Sequence, residues 1–209
     1  MRTRVKICGF TRAEDALCAA GLGVDAIGLV FYPDSPRFVE IDLAGRIAHA
    51  LPAFVSVVAL FVDAEQTLIN EVLQRVRVDC LQFHGDEPAD SCRLYHKPYI
   101  KALRMHDGIN LAAEEAQYMD ACGLLLDAYH PGVPGGTGAA FDWELIPQTN
   151  RLPIILAGGL TPENAERAIQ TVNPYALDVS SGVEAAKGLK DADKMAAFIR
   201  TTNQALRNI

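Results

Sequence analysis

Eight short runs of aliphatic and β-branched residues recur along the chain, each followed by a stretch of helical periodicity. No other feature limits the fold as strongly, because strands alternating with helices build a parallel sheet whose crossovers pack on its face. The predicted strands are Val5–Cys8, Ala26–Phe31, Val55–Val62, Cys80–Phe83, Tyr99–Leu103, Gly123–Asp127, Ile154–Ala157 and Ala176–Val179. Thr11-Arg12-Ala13-Glu14 reads as a capping box opening the first helix. In Glu65–Val76, Leu68, Ile69, Val72, Leu73 and Val76 fall on one stripe. Thr161-Pro162 offers an N-cap followed by a proline at the first helical position. Met195, Phe198, Ile199, Thr202 and Leu206 stand at helical spacing in the last helix.

Eight strand–helix units in 209 residues give about 26 residues each, the short end of a (β/α)8 TIM barrel. An open doubly wound sheet alternates in the same way, but its first turn carries G-x-G-x-x-G, and here that turn is Cys8-Gly9-Phe10-Thr11. Nothing resembling a linker divides the chain. The expectation is an α/β protein, a single TIM-barrel domain over residues 1–209, with its site at the C-terminal ends of the strands.

Composition narrows the partners. Half of the residues are hydrophobic and 22% charged, which supports a large core. With 19 Lys and Arg against 26 Asp and Glu, the net charge of −7 and the lack of a basic cluster argue against nucleic acid or an anionic membrane as the main partner. No apolar run approaches the roughly 18 residues of a membrane span. The basic residues of Met1-Arg2-Thr3-Arg4-Val5-Lys6 are not followed by a signal peptide's apolar region. Cys8, Cys18, Cys80, Cys92 and Cys122 are odd in number, scattered and without C-x-x-C. That pattern fits the reducing cytoplasm. His49, His84, His96, His106 and His130 form no metal motif; Cys92 and His96 alone do not make a zinc site.

Polar and reactive residues gather where the strands finish. Gly158 and Gly159 after the seventh strand allow close backbone approach, and Ser180-Ser181-Gly182 follows the eighth. With a helix starting at Thr161 and a short turn after Ser181, their N–H groups form a cradle for phosphate; glycines that only shape turns are the plainer alternative. Cys8 and Asp127 end the first and sixth strands. Singly, each suits a buried apolar thiol or a turn carboxylate. Together they suit a base and an acid acting on two faces of one substrate, the thiol helped by local dipoles or a cation, the carboxyl by partial desolvation. Arg37 carries a fork suited to carboxylate or phosphate, or is a solvated loop residue. Lys6 shares strand parity with Cys8, and Asp178 with Ser180, so the two can pair across the seam between strands one and eight. Such a pair is structural, or places charge near Cys8. His84 orients a ring or simply lies in a loop. Loop six, residues 128–140, with Gly135-Gly136-Thr137-Gly138, has the length of a lid.

Taken in order, these segments resemble the phosphoribosylanthranilate isomerase family. Lys6-Ile7-Cys8-Gly9-Phe10-Thr11 is similar to its K-I-C-G-x-T, Phe31-Tyr32-Pro33-Asp34-Ser35-Pro36-Arg37 to F-x-x-x-S-x-R, and Gln82-Phe83-His84-Gly85 to Q-L-H-G. Leu125-Leu126-Asp127, Gly135-Gly136-Thr137-Gly138, Phe141-Asp142-Trp143, Leu156-Ala157-Gly158-Gly159-Leu160-Thr161-Pro162-Glu163-Asn164 and Asp178-Val179-Ser180-Ser181-Gly182-Val183-Glu184 follow in register. The resemblance implies an Amadori rearrangement of an aminoaldose phosphate in tryptophan biosynthesis, with Asp127 as general acid, Cys8 as general base and Arg37 on the anthranilate carboxylate. It implies that Gly158, Gly159, Ser180, Ser181 and Gly182 hold the phosphate. His84 and Asp178 complete the expected substrate contacts. No cofactor and no metal is expected, and the partner is a small phosphorylated substrate met by a monomer or homodimer. The alternatives are a dual histidine/tryptophan isomerase or an indoleglycerol-phosphate synthase, which use other acid and base residues, and a non-catalytic phosphate or flavin binder.

Overall fold

The structure, a computed structural model, describes residues 2–106, 108–128, 142–147 and 151–205. Eight parallel strands close into a barrel in sequence order: β1 (Arg4–Cys8), β2 (Ala26–Val30), β3 (Ser56–Phe61), β4 (Cys80–Phe83), β5 (Tyr99–Met105), β6 (Gly123–Ala128), β7 (Ile154–Leu156) and β8 (Ala176–Val179). All eight expected strands form, with ends shifted by up to two residues. The seam is the β1–β8 pairing, where Lys6 lies opposite Asp178.

Strand residues are buried on both sides, which explains their near-continuous apolar character. Outward-facing Ile7, Ile27, Phe61, Leu81, Leu124, Leu126 and Leu177 join the layer between sheet and helices. Inward-facing Ile100, Ala102, Leu125, Ile155, Ala157 and Ala176 form a separate cluster inside the barrel. Toward the C-terminal rim the interior changes character: Cys8, Val30 and Leu60 cluster there, and buried Lys6, Gln82, His84, Asp127 and Asp178 line the same wall by strand parity.

The outer layer holds α1 (Ala13–Gly21), α2 (Ile41–Ala50), α3 (Gln66–Arg75), the single turn α4 (Ala89–Cys92), α5 (Leu111–Gln117), α6 (Ala165–Val172) and α7 (Ala192–Ala205). Between β6 and β7 the only element among the described residues is a 3-10 turn at Trp143–Leu145. The α3 stripe packs as its spacing predicts, through Ile69 and Val72. So does α7 through Met195, Phe198, Ile199 and Thr202; Leu206 lies outside the described residues, as does loop six beyond Ala128.

Two helix starts differ from expectation. The capping box does not form: α1 begins after Arg12 without a side-chain cap, because the Thr11 hydroxyl donates to the Gly188 carbonyl (2.6 Å). The helix after β7 begins at Ala165, not at Pro162. Its lead-in is a turn in which the Thr161 N–H donates to Asn164 Oδ1 (2.8 Å) and Asn164 Nδ2 donates to the Gly159 carbonyl (2.8 Å). After β8 comes a hairpin absent from the sequence reading, β9 (Glu184–Ala186) and β10 (Leu189–Lys190).

Candidate active site

The rim of the barrel gathers charge around Cys8. On one side of the thiol, the Lys6 ammonium donates to Asp178 Oδ2 (2.6 Å), both side chains being buried. Burial works against the Lys6 ammonium, but Asp178 and Cys8 outweigh it and raise its pKa. Burial pushes the Asp178 carboxyl up, with Lys6 opposing. Asp178 Oδ1 is buried and has no partner among the described residues. The parity pair expected from the sequence therefore forms, and it also places charge beside Cys8.

On the other side lies a group that local patterns did not reveal. Lys190, on β10, donates to the Cys8 carbonyl (2.6 Å), the Ser180 carbonyl (3.2 Å) and Glu184 Oε1 (2.8 Å). Glu184 also receives Arg37, through Nε (2.7 Å) and Nη2 (2.9 Å). Arg37 is thus buried rather than solvated, and one edge of its fork is spent on Glu184. Burial opposes the charge on both partners of this pair, yet the pairing wins: Arg37 is raised and Glu184 lowered. Burial lowers Lys190, partly offset by Glu184 and Cys8. The Cys8 thiol is pushed up by burial, while Lys6 and Lys190 pull it back.

Across the barrel, Asp127 Oδ1 accepts from the Ala128 N–H (2.9 Å), and Oδ2 faces His84 Nε2 at 3.2 Å. His84 Nδ1 in turn meets Gln82 Nε2 at 2.9 Å. With the amide nitrogen donating, Nδ1 accepts, Nε2 carries the proton, and His84 donates to the carboxylate. His84 is therefore part of the site wall. Gln82, part of the Q-L-H-G-like segment but given no role from the sequence, was legible by parity: it lies two residues before His84 and on the same side of the chain.

The glycine-rich ends of β7 and β8 meet next to Asp127. Gly158 (φ +80°) and Gly159 (φ +64°) adopt left-handed backbone, and their amides have no hydrogen-bond partner among the described residues. A Cβ on Gly158 would lie 2.6 Å from the Ala128 nitrogen. Gly182, in the 3-10 turn Ser181–Val183, leaves no room for a Cβ against the Leu160 carbonyl, so loops seven and eight touch through backbone. The Ser180 hydroxyl donates to the Cys8 carbonyl (3.0 Å). The Thr161 N–H, expected to point at a ligand, is occupied by Asn164. What remains is a loop cradle of backbone amides suited to an anion.

The arrangement can therefore bind an anion, offer a thiol on one wall and a carboxyl on another, and move protons between them. Among the described residues no group of three or more His, Cys, Asp or Glu could hold a metal ion, and no helix is long and apolar enough to cross a membrane.

Comparison with known proteins places this geometry in context. The family model for N-(5'-phosphoribosyl)anthranilate (PRA) isomerase matches residues 5–201. The chain is 55% identical over 205 residues to the N-(5'-phosphoribosyl)anthranilate isomerase of Pseudomonas aeruginosa (strain UCBPP-PA14), covering 98% of this chain and 97% of the relative. It is also similar to a crystal structure of phosphoribosyl anthranilate isomerase in complex with reduced 1-(o-carboxyphenylamino)-1-deoxyribulose 5-phosphate. That match has a TM-score of 0.86 at 40% identity and covers 97% and 99% of the two chains. A third match is to monomers generated from the dimeric phosphoribosylantranilate isomerase of Thermotoga maritima, with a TM-score of 0.84 at 39% identity, again covering 97% and 99%.

Proposed function

We propose roles for the site residues from one premise: the chain belongs to the N-(5'-phosphoribosyl)anthranilate isomerase family, and its activity is that isomerisation, a step of tryptophan biosynthesis. The observation that supports the roles is a buried thiol on β1 and a buried carboxyl on β6, both on the inward face of the barrel by strand parity and beside an amide cradle.

In this reading the phosphate of N-(5-phosphoribosyl)anthranilate sits on the amides around Gly158, Gly159, Ser181 and Gly182, held without a lysine or arginine contact. Ser180 steadies that cradle by tying it to Cys8. Arg37, braced by Glu184, turns its remaining guanidinium N–H groups toward the anthranilate carboxylate. Asp178, with one oxygen free of partners among the described residues, accepts from a sugar hydroxyl.

Asp127 then protonates the furanose ring oxygen; the C1–O bond breaks and the nitrogen lone pair forms the Schiff base. The Cys8 thiolate removes the C2 proton, and the C2–H electrons move into C1–C2 as the C=N bond returns its pair to nitrogen. The resulting enolamine tautomerises to 1-(2-carboxyphenylamino)-1-deoxyribulose 5-phosphate. His84, donating to Asp127, holds the acid in place. Acid and base at roughly 10²–10⁴-fold each contribute about 3–5 kcal/mol apiece. A reducing compartment, the cytoplasm, suits a base that is a thiol. The working form is a monomer or homodimer. Light scattering on the purified chain decides the state.

The test is turnover of phosphoribosylanthranilate, followed by loss of its fluorescence. Cys8→Ser and Asp127→Asn should each lower kcat by two orders of magnitude or more while binding of the reduced product analogue persists. Arg37→Ala should chiefly raise KM. A Cys8→Ser enzyme of near-normal kcat would remove the thiol from the mechanism.

A further inference from the structure

Lys190 belongs to none of the segments that carry the substrate in the reading above, yet it is the most enclosed cation of the site: its side chain is 0% exposed. An ammonium has three hydrogens. Here they serve the carbonyl of Cys8, the carbonyl of Ser180 and the carboxylate of Glu184, which itself clamps Arg37. One side chain therefore ties together the ends of β1 and β8 and the arginine loop after β2. It also lies 5.7 Å from the Phe10 ring centroid, one turn past the thiol. The cost of burying such a charge is recovered only if each contact is kept.

The charges that face Cys8 are Lys6 on β1, Asp178 on β8, Lys190 on β10 and Arg37 on the loop after β2, with Glu184 between the last two. They comprise three cations and two carboxylates. A buried group with one cation in excess favours one further anion, and the Cys8 sulfur is the titratable atom placed among them.

We propose that Lys190 is the positioning residue of Cys8: its ammonium fixes the backbone on either side of the thiol and supplies the positive charge that favours the thiolate. This rests on the reading of Cys8 as the base. It explains why a hairpin of five strand residues follows β8 before α7 begins: the hairpin carries Lys190 back under the thiol. Lys6 favours the thiolate as well, but the Asp178 carboxylate beside it opposes that effect, whereas the Glu184 carboxylate beside Lys190 is shared with Arg37.

Two variants and two readouts test it. Lys190→Gln keeps a hydrogen-bond donor and removes the charge; Lys190→Arg keeps the charge. Alkylation of the Cys8 peptide by iodoacetamide, followed by mass spectrometry across pH, gives the titration midpoint of that thiol directly. With Lys190→Gln the midpoint should rise by about one pH unit or more. The acidic limb of kcat/KM for phosphoribosylanthranilate should move up by the same amount, lowering the rate near neutral pH about tenfold. Lys190→Arg should return both toward the parent enzyme. A folded Lys190→Gln protein with the parent midpoint and the parent limb would overturn the proposal, as would an arginine variant shifted as far as the glutamine one. Cys8→Ser separates the two readings: normal turnover there sinks the base assignment, whereas the alkylation midpoint reports on Lys190 whatever Cys8 does in catalysis.

Discussion

Replacing Lys6 by Met should destabilise the barrel strongly and in a pH-dependent way. The ammonium lies 2.6 Å from Asp178 Oδ2, and the two side chains are 5% and 7% exposed. Asp178 Oδ1 already lacks a partner among the described residues, so without Lys6 neither carboxylate oxygen is paired. Breaking a buried ion pair from one side costs about 3–5 kcal/mol. For a chain of this size that corresponds to a fall in Tm of roughly 6–20 °C. The sign with pH follows from linkage. Burial raises Asp178 in the folded state, and loss of Lys6 raises it further, while the unfolded value stays near 3.9. The folded variant then binds the proton more tightly than the unfolded chain, so stability is fullest below the unfolded value and is lost as pH climbs through the folded one. Urea unfolding at pH 5 and pH 8 reads this: Lys6→Met should lose least at pH 5 and most at pH 8. Adding Asp178→Leu should restore most of the loss, because an apolar pair of similar volume substitutes well for a buried ion pair. A Lys6→Met protein that loses less than about 1 kcal/mol at pH 8, or equal amounts at both pH values, would refute this account.

Two further outcomes follow from geometry away from the seam. Gly182→Ala has no room for its methyl group against the Leu160 carbonyl, so loops seven and eight must separate. At about 1–3 kcal/mol for overpacking, calorimetric affinity for inorganic phosphate should fall roughly five- to 150-fold, and parent-like binding would refute the shared cradle. Among the thiols, Cys122 is exposed and lies 3.8 Å from Cys80, whose hydrogen bond brings it down to about 7, whereas burial pushes Cys8 up. Iodoacetamide at pH 7.5 should therefore label Cys122 before Cys8 and leave turnover intact at first, since Cys122 precedes β6 at the opposite end of the barrel; early labelling of Cys8 with loss of activity would contradict this.

The eight strands were legible because each is buried on two sides and must be apolar, and because parity along a strand decides which residues face inward. By that parity Lys6 and Asp178 are able to pair across the seam, and they do. Parity failed where partners are set by closure of the ring. Nothing near Arg37 announces Glu184, 147 residues away, nor does anything near Cys8 announce Lys190. The capping box at Thr11 failed for the same reason: its hydroxyl found the Gly188 carbonyl 177 residues on, and a tertiary acceptor displaced the local one. Thr161 was misread because Asn164 caps its own lead-in turn, a local competition that the proline at 162 conceals. In each case the residue type was informative and its partner was not.

The meeting of the first and last strands carries a consequence for biosynthesis. Cys8 is made early, but the side chain that reaches its carbonyl is translated 182 residues later. On the ribosome, the segments bearing Cys8, His84 and Asp127 emerge before β8 and its hairpin can close the ring beside the thiol. On the roles proposed above, a polypeptide halted before that point would hold most of the fold's strands but not the ammonium that braces Cys8, so its fragments should be silent rather than half-active.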